Sequence, residues 1–151
     1  MSHQQSAFYG RNTGHHFSIY PKDAESTVKV LGLWSGKASG DSEGRWVLKG
    51  IKLTWFDGRT QQIYNHPVEG DEYAEYTFER NETADWGLRA GWRIDRLQFE
   101  TSHGNLWGAG GYGGTLHAHV AKGNLIGFEG SSGWEIDYIS LRYRSAPKAD
   151  E

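Results

Sequence analysis

Three stretches of the chain repeat one nine-residue pattern, and that repeat limits the fold more than any other feature. Residues 45–53 read R-W-V-L-K-G-I-K-L, residues 91–99 read G-W-R-I-D-R-L-Q-F, and residues 133–141 read G-W-E-I-D-Y-I-S-L. Trp46, Trp92 and Trp134 share the second place. Apolar residues return at the fourth, seventh and ninth places, and the fifth place holds Lys49, Asp95 and Asp137. Roughly equal lengths of chain separate the copies. A unit that recurs in this way buries its apolar side against its neighbours. The repeat therefore predicts three similar sheets about an axis, each giving side chains to one core. A shared Trp position reads first as shared packing, so the three indole rings are expected to serve the core.

The rest of the chain agrees with strands. No window carries apolar residues at helical spacing over three turns. Alternating apolar runs begin at Val28, Val47, Tyr73, Ile94, Leu116, Leu125 and Ile136, with Gly, Asn or Asp between them. Asp57-Gly58 and His103-Gly104 read as hairpin turns. Residues 65–72 read as an exposed loop. These signals predict about ten to twelve short strands in an all-β domain over residues 7–145, with flexible tails at 1–6 and 146–151.

Composition removes several classes of function. The 151 residues include 21 Gly, 3 Pro and no Cys. Without Cys there is no disulfide framework and no thiolate-held zinc or iron–sulfur centre. Sixteen basic and nineteen acidic residues give a net charge of −3, which argues against nucleic acid as the main partner. No apolar run approaches membrane-spanning length, so no membrane insertion is expected. The polar start lacks an apolar signal core, which points to a cytoplasmic or unconventionally secreted chain.

The G-x-x-x-D pattern at Gly133 to Asp137 suits a ligand rich in hydroxyl groups. Gly permits a sharp turn that presents main-chain N–H groups, and Asp supplies two acceptor oxygens beside them. Vicinal hydroxyls of a hexose match that combination. One such site would bind weakly, so several sites, or a homo-oligomer, would make avidity useful.

In these segments the chain resembles a known family, the jacalin-related lectins. The resemblance rests on G-N-L-I-G-F-E-G-S-S-G-W-E-I-D-Y-I-S-L at 123–141 and on I-D-R-L-Q-F-E-T-S-H-G-N-L-W-G-A-G-G-Y-G-G-T-L at 94–116. V-K-V-L-G-L at 28–33 and L-K-G-I-K-L-T-W-F-D-G at 48–58 add to it. It implies a β-prism I fold: three antiparallel Greek-key-like sheets with pseudo-threefold symmetry. It also implies a carbohydrate-binding protein, nearer the branch that prefers mannose and glucose, whose partners are glycans or glycoproteins.

The family's main sugar site maps onto Gly133, Trp134, Glu135 and Asp137, with Gly14 from an N-terminal Gly-rich loop. The N–H groups of Trp134 and Glu135 would bind sugar oxygens, and Asp137 would accept from two hydroxyls. The N-terminal loop reads G-R-N-T-G where the family usually shows adjacent glycines. The repeat implies a second site at Gly91, Trp92, Arg93 and Asp95, with Gly113 and Gly114 as the partner loop. Lys49 cannot accept a hydroxyl proton, so no such site is expected in the first copy.

Three competing readings remain. Glu135 and Asp137 could form the paired carboxylates of a glycosidase, though one short segment rarely supplies both sides of a sugar. A β-prism could instead attach to a protein or membrane target. His117 and His119, two apart on a strand, could join His15 and His16 as metal ligands. Surface histidines are the simpler reading, and no metal or cofactor is expected. Asn81-Glu82-Thr83 has the form of a glycosylation sequon, read here as chance.

Overall fold

The computed structural model describes residues 3–23 and 25–146. Among these there is no α-helix, only one 3-10 turn at Gly40–Ser42. Twelve strands follow in order: β1 His3–Gln5, β2 Tyr9–Gly10, β3 His15–Ile19, β4 Val28–Lys37, β5 Trp46–Trp55 and β6 Thr60–Tyr64. Then come β7 Glu72–Thr77, β8 Ala84–Ala90, β9 Ile94–Thr101, β10 Leu106–Gly110, β11 Thr115–Ser132 and β12 Ile136–Ser145. Every pairing is antiparallel.

Strands β4 to β7 form one four-stranded sheet in the order β6-β5-β4-β7. The remainder form one continuous sheet in the order β1-β12-β11-β8-β9-β10, with β2 against β12 and β3 against β11. The long β11 joins two strand groups. Its first part pairs with β8 and its second with β12 and β3. The sequence suggests two strands here, near 116–120 and 125–128. The chain instead runs on as one strand, broken by bulges between His117 and Ala121 and between Leu125 and Gly127. Bulges bend a strand without ending it, which lets β11 turn a corner of the prism.

The repeat explains the core. Leu48, Ile51 and Leu53 on β5, Ile94, Leu97 and Phe99 on β9, and Ile136, Ile139 and Leu141 on β12 are all buried. These are the fourth, seventh and ninth places of the three copies. All belong to one apolar cluster, joined by Trp55, Trp86 and Phe128. The Trp55 indole N–H donates to the Ile126 carbonyl at 2.7 Å, tying the four-stranded sheet to β11. Removing this much apolar surface from water is the main force holding the sheets together.

Both expected hairpin turns form. Gly58 and Gly104 take positive φ at the β5–β6 and β9–β10 turns. The N-terminal tail differs from expectation: His3–Gln5 pair with residues 142–144 of β12, and Ser6 is buried, its hydroxyl oxygen accepting from the Leu141 N–H. Polar side chains hide the strand from sequence reading, because the stabilising bonds here come from the backbone. In the C-terminal tail, Ala146 donates to the Lys122 carbonyl, and residues 147–151 lie outside the described residues.

Candidate functional site

The G-x-x-x-D segments enter β12 and β9 through the same turn. The Gly133 N–H donates to the Glu135 carbonyl at 3.1 Å, and the Gly91 N–H donates to the Arg93 carbonyl at 3.0 Å. Each Asp is then the second residue of its strand and is nearly buried: Asp137 is 5% exposed and Asp95 2%. Each also receives a Gly-rich loop along its backbone. The Arg11 N–H donates to the Asp137 carbonyl at 2.8 Å, and the Gly111 N–H donates to the Asp95 carbonyl at 2.7 Å.

Those loops end on glycines in the left-handed region, Gly14 at φ +81° and Gly114 at φ +69°. A Cβ on Gly14 would stand 2.9 Å from Oδ2 of Asp137, and one on Gly114 would stand 2.7 Å from Oδ1 of Asp95. Only a residue without a side chain fits so close to the carboxylate in that conformation. Gly133 and Gly113 complete the two cradles, 3.6 Å and 2.8 Å from their carboxylates by the same measure. The structure thus brings Gly14, Gly133, Trp134, Glu135 and Asp137 together at one place, and Gly91, Trp92, Arg93, Asp95, Gly113 and Gly114 at another.

Burial pushes both carboxyls above the ordinary Asp range. Around Asp137 the Arg93 guanidinium opposes that effect most, followed by the Thr13 hydroxyl; around Asp95, Arg45 and then Arg89 oppose it. Oδ1 of Asp137 lies 3.2 Å from Arg93 Nε, while Oδ2 accepts from Thr13 at 3.3 Å. Oδ2 of Asp95 lies 3.3 Å from Arg45 Nη2. Thr13 lies inside the G-R-N-T-G loop, although the sequence reading gives it no role there; its place between Gly10 and Gly14 is the signal that could have found it.

The Glu135 side chain turns inward. One carboxylate oxygen accepts from Arg93 Nε at 2.9 Å and the other from Ser39 at 2.8 Å. Glu135 and Asp137 therefore share one guanidinium and do not face each other across a cleft.

The indole rings depart from the packing expectation. Trp92 is 50% exposed and Trp134 57%. Both stand two residues before their strands begin, so the rings lie on the loop rim and not on the inner pleat. Each is covered on one face: the Arg11 guanidinium lies 4.7 Å from the Trp92 ring centre, and the His66 ring stacks on Trp134 at 3.8 Å. Of the three, Trp46 alone is partly buried, its indole N–H donating to Ser35 at 3.0 Å.

In the first copy the fifth place is closed. Lys49 is buried and pairs with Asp71 at 3.1 Å. Burial would raise the Asp71 carboxyl, but the Tyr64 hydroxyl, the Val68 N–H and Lys49 together hold it below the usual range. Tyr64 is pushed up to about 12 by burial and by Asp71. The loop between β6 and β7 leans onto the main site instead: Asn65 donates to the Gly133 carbonyl at 3.2 Å, and His66 covers Trp134. No local pattern in residues 65–72 marks this contact.

The histidines are dispersed. His117 packs on Tyr9, while His119 pairs with Asp85 from within the bulge, at φ +56°. The bulge breaks the alternation that would have put both on one face. Among the described residues no three His, Asp or Glu side chains form a metal-sized cluster.

Comparison with known proteins bears on the family and the fold. The model of the jacalin-like lectin domain matches residues 6–141. The chain belongs to the jacalin-like lectin family, a membership that supports carbohydrate binding. No curated protein matched in sequence. Similar solved structures include a lamprey immune protein, at TM-score 0.73 and 22% identity over 97% of this chain. The chain spans 45% of that protein's length. The Malaysian banana lectin matches at TM-score 0.68 and 21% identity, over 96% of this chain and 100% of that one. The Calsepa lectin, solved with a bisected glycan, matches at TM-score 0.70 and 15% identity, over 95% and 99% of the two chains. At these identities the likeness concerns the fold: an all-β, antiparallel β-prism.

Proposed function

We propose that the protein binds glycans of the mannose or glucose type without changing them chemically, through two sites. At the main site the N–H groups of Trp134 and Glu135 donate to sugar oxygens and Asp137 accepts from two hydroxyls, with Gly14 facing the sugar. At the second, Asp95 does the same with the Gly91 to Arg93 turn and the Gly113-Gly114 loop. The observation that carries this reading is the twin cradle. Gly14 and Gly114 each bring bare backbone against a buried carboxylate, in a conformation that favours glycine. The lectin solved with a bisected glycan, and the mannose-binding lectin from champedak, matched at TM-score 0.67, lend further support.

Two weak sites on one rigid domain favour multivalent glycans by avidity. A glycan array with the wild type, Asp137→Ala, Asp95→Ala and the double variant tests the proposal. A reduced signal in each single variant, and full loss only in the double variant, is the expected outcome. Turnover of the glycans, or binding that free mannose does not compete, would replace it with an enzymatic or an attachment role.

A further inference from the structure

We infer that the Arg93 side chain is a positioning residue of the main site, although its backbone belongs to the second. The inference rests on the carbohydrate-binding reading above and goes beyond it. Sequence alone assigns Arg93 to the second site, because it sits in the turn after Gly91. Its side chain leaves that turn and reaches the turn and first residues of β12, a strand that does not pair with β9. One N–H group, Nε, stands 2.9 Å from Glu135 Oε1 and 3.2 Å from Asp137 Oδ1. Nη1 donates back to the Trp92 carbonyl at 3.2 Å, which fixes the guanidinium to its own loop.

The consequence for Asp137 is geometric. A carboxylate that accepts from two sugar hydroxyls must hold its plane in one orientation. Thr13 and the Gly14 backbone border Oδ2, and Arg93 holds Oδ1. Glu135 anchors the guanidinium from behind and is itself held by Ser39, from the loop that leads into the first copy. Side chains from the neighbourhood of all three copies thus converge on the carboxylate pair. Arg93 also separates two buried negative charges that would otherwise repel. The arrangement recurs once: Arg45, from the copy before, reaches Asp95 at 3.3 Å. In both cases the acid of one copy is held by an arginine of the preceding copy. Outer residues that orient a ligating group commonly govern affinity without touching the ligand.

The test uses the whole chain with ¹⁵N-labelled tryptophan, titrated with methyl α-mannoside. The indole N–H signals of Trp134 and Trp92 report the two sites separately. Arg93→Gln is expected to weaken the response at Trp134 by about tenfold or more, the scale known for residues that orient the ligands of a metal site. Arg45→Gln, which removes the partner of Asp95, should by contrast leave the Trp134 response as in the wild type. Arg93→Lys should recover part of the loss, and the pH at which Trp134 binding fails should rise in Arg93→Gln, since a cation beside Asp137 has been removed. If Arg93→Gln does not fold, Arg93→Gln/Glu135→Gln, which removes the stranded charge, carries the same expectation. An unchanged Trp134 response in the folded variant, or a loss confined to Trp92, overturns the inference. No response at Trp134 in the wild type, by contrast, overturns the sugar-binding reading itself.

Discussion

Gly14 and Asp137 lie 123 positions apart in the chain, yet a single methyl group on Gly14 would stand 2.9 Å from the Asp137 carboxylate. It would also stand 2.8 Å from the Ser132 carbonyl, and φ there is +81°. Gly133, on the other side of the carboxylate, is not in the left-handed region and has only Asp137 Oδ2 near it, at 3.6 Å. Gly14→Ala should therefore destabilise the fold by about 1 kcal/mol or more and abolish main-site binding. Gly133→Ala should melt close to the wild type. Thermal melts of the two variants check the contrast.

Asp137 is held at the expense of stability. Burial raises its folded pKa above the unfolded value, so between the two values the folded state carries more protons. Its contribution is most favourable below the unfolded pKa and declines as pH rises through the folded one. At neutral pH the ionised group is a net cost. Asp137→Asn should melt no lower than the wild type at pH 7 while losing the main site. A fall of several degrees in Tm would contradict this.

The same shift sets the pH profile of binding. Sugar hydroxyls need the ionised carboxylate as acceptor. Affinity should fall on acidification with a midpoint above the ordinary Asp value of about 3.9. Calorimetric titrations with methyl α-mannoside across the mildly acidic range measure it, and a flat profile would count against Asp137 as the acceptor.

His66→Ala should expose the covered face of Trp134. A stacked aromatic pair contributes about 0.5–1.5 kcal/mol. The variant should loosen the Trp134 ring and weaken main-site binding a few-fold, with little change in Tm because the Trp134 ring lies at the surface. Trp fluorescence anisotropy together with titration reads both effects.

The closed first copy makes an opposite prediction. Lys49 is buried against Asp71, and removing one partner of a buried ion pair typically costs about 3–5 kcal/mol. Asp71→Ala should therefore be among the most destabilising single changes outside the apolar core, as chemical denaturation would show. It should not create or remove a sugar site.

What could be read in the sequence followed from periodicity. The nine apolar places of the repeat all fall in the core: the seventh and ninth lie two apart on one face of the strand, and a bulge at the fifth place brings the fourth onto the same face. The Gly-x-x-x-Asp turns and the two hairpins were legible because Gly and Asp mark backbone conformations that few residues adopt. The contacts between distant copies were not. Arg93 reaching Asp137, Ser39 reaching Glu135 and His66 covering Trp134 have no local signature. The exposure of Trp92 and Trp134 was hidden too, since their shared position lies just outside the strand, where the pleat no longer directs the ring. The pairing of His3–Gln5 with β12 depends on an open strand edge, not on those polar side chains.

The most direct test is a calorimetric titration of methyl α-mannoside into the wild type and into Asp137→Asn/Asp95→Asn, both confirmed folded by their melting transitions. The predicted result is binding to the wild type, saturating at two sugars per chain, and none to the double variant. A double variant that binds as tightly as the wild type would contradict the twin-site reading.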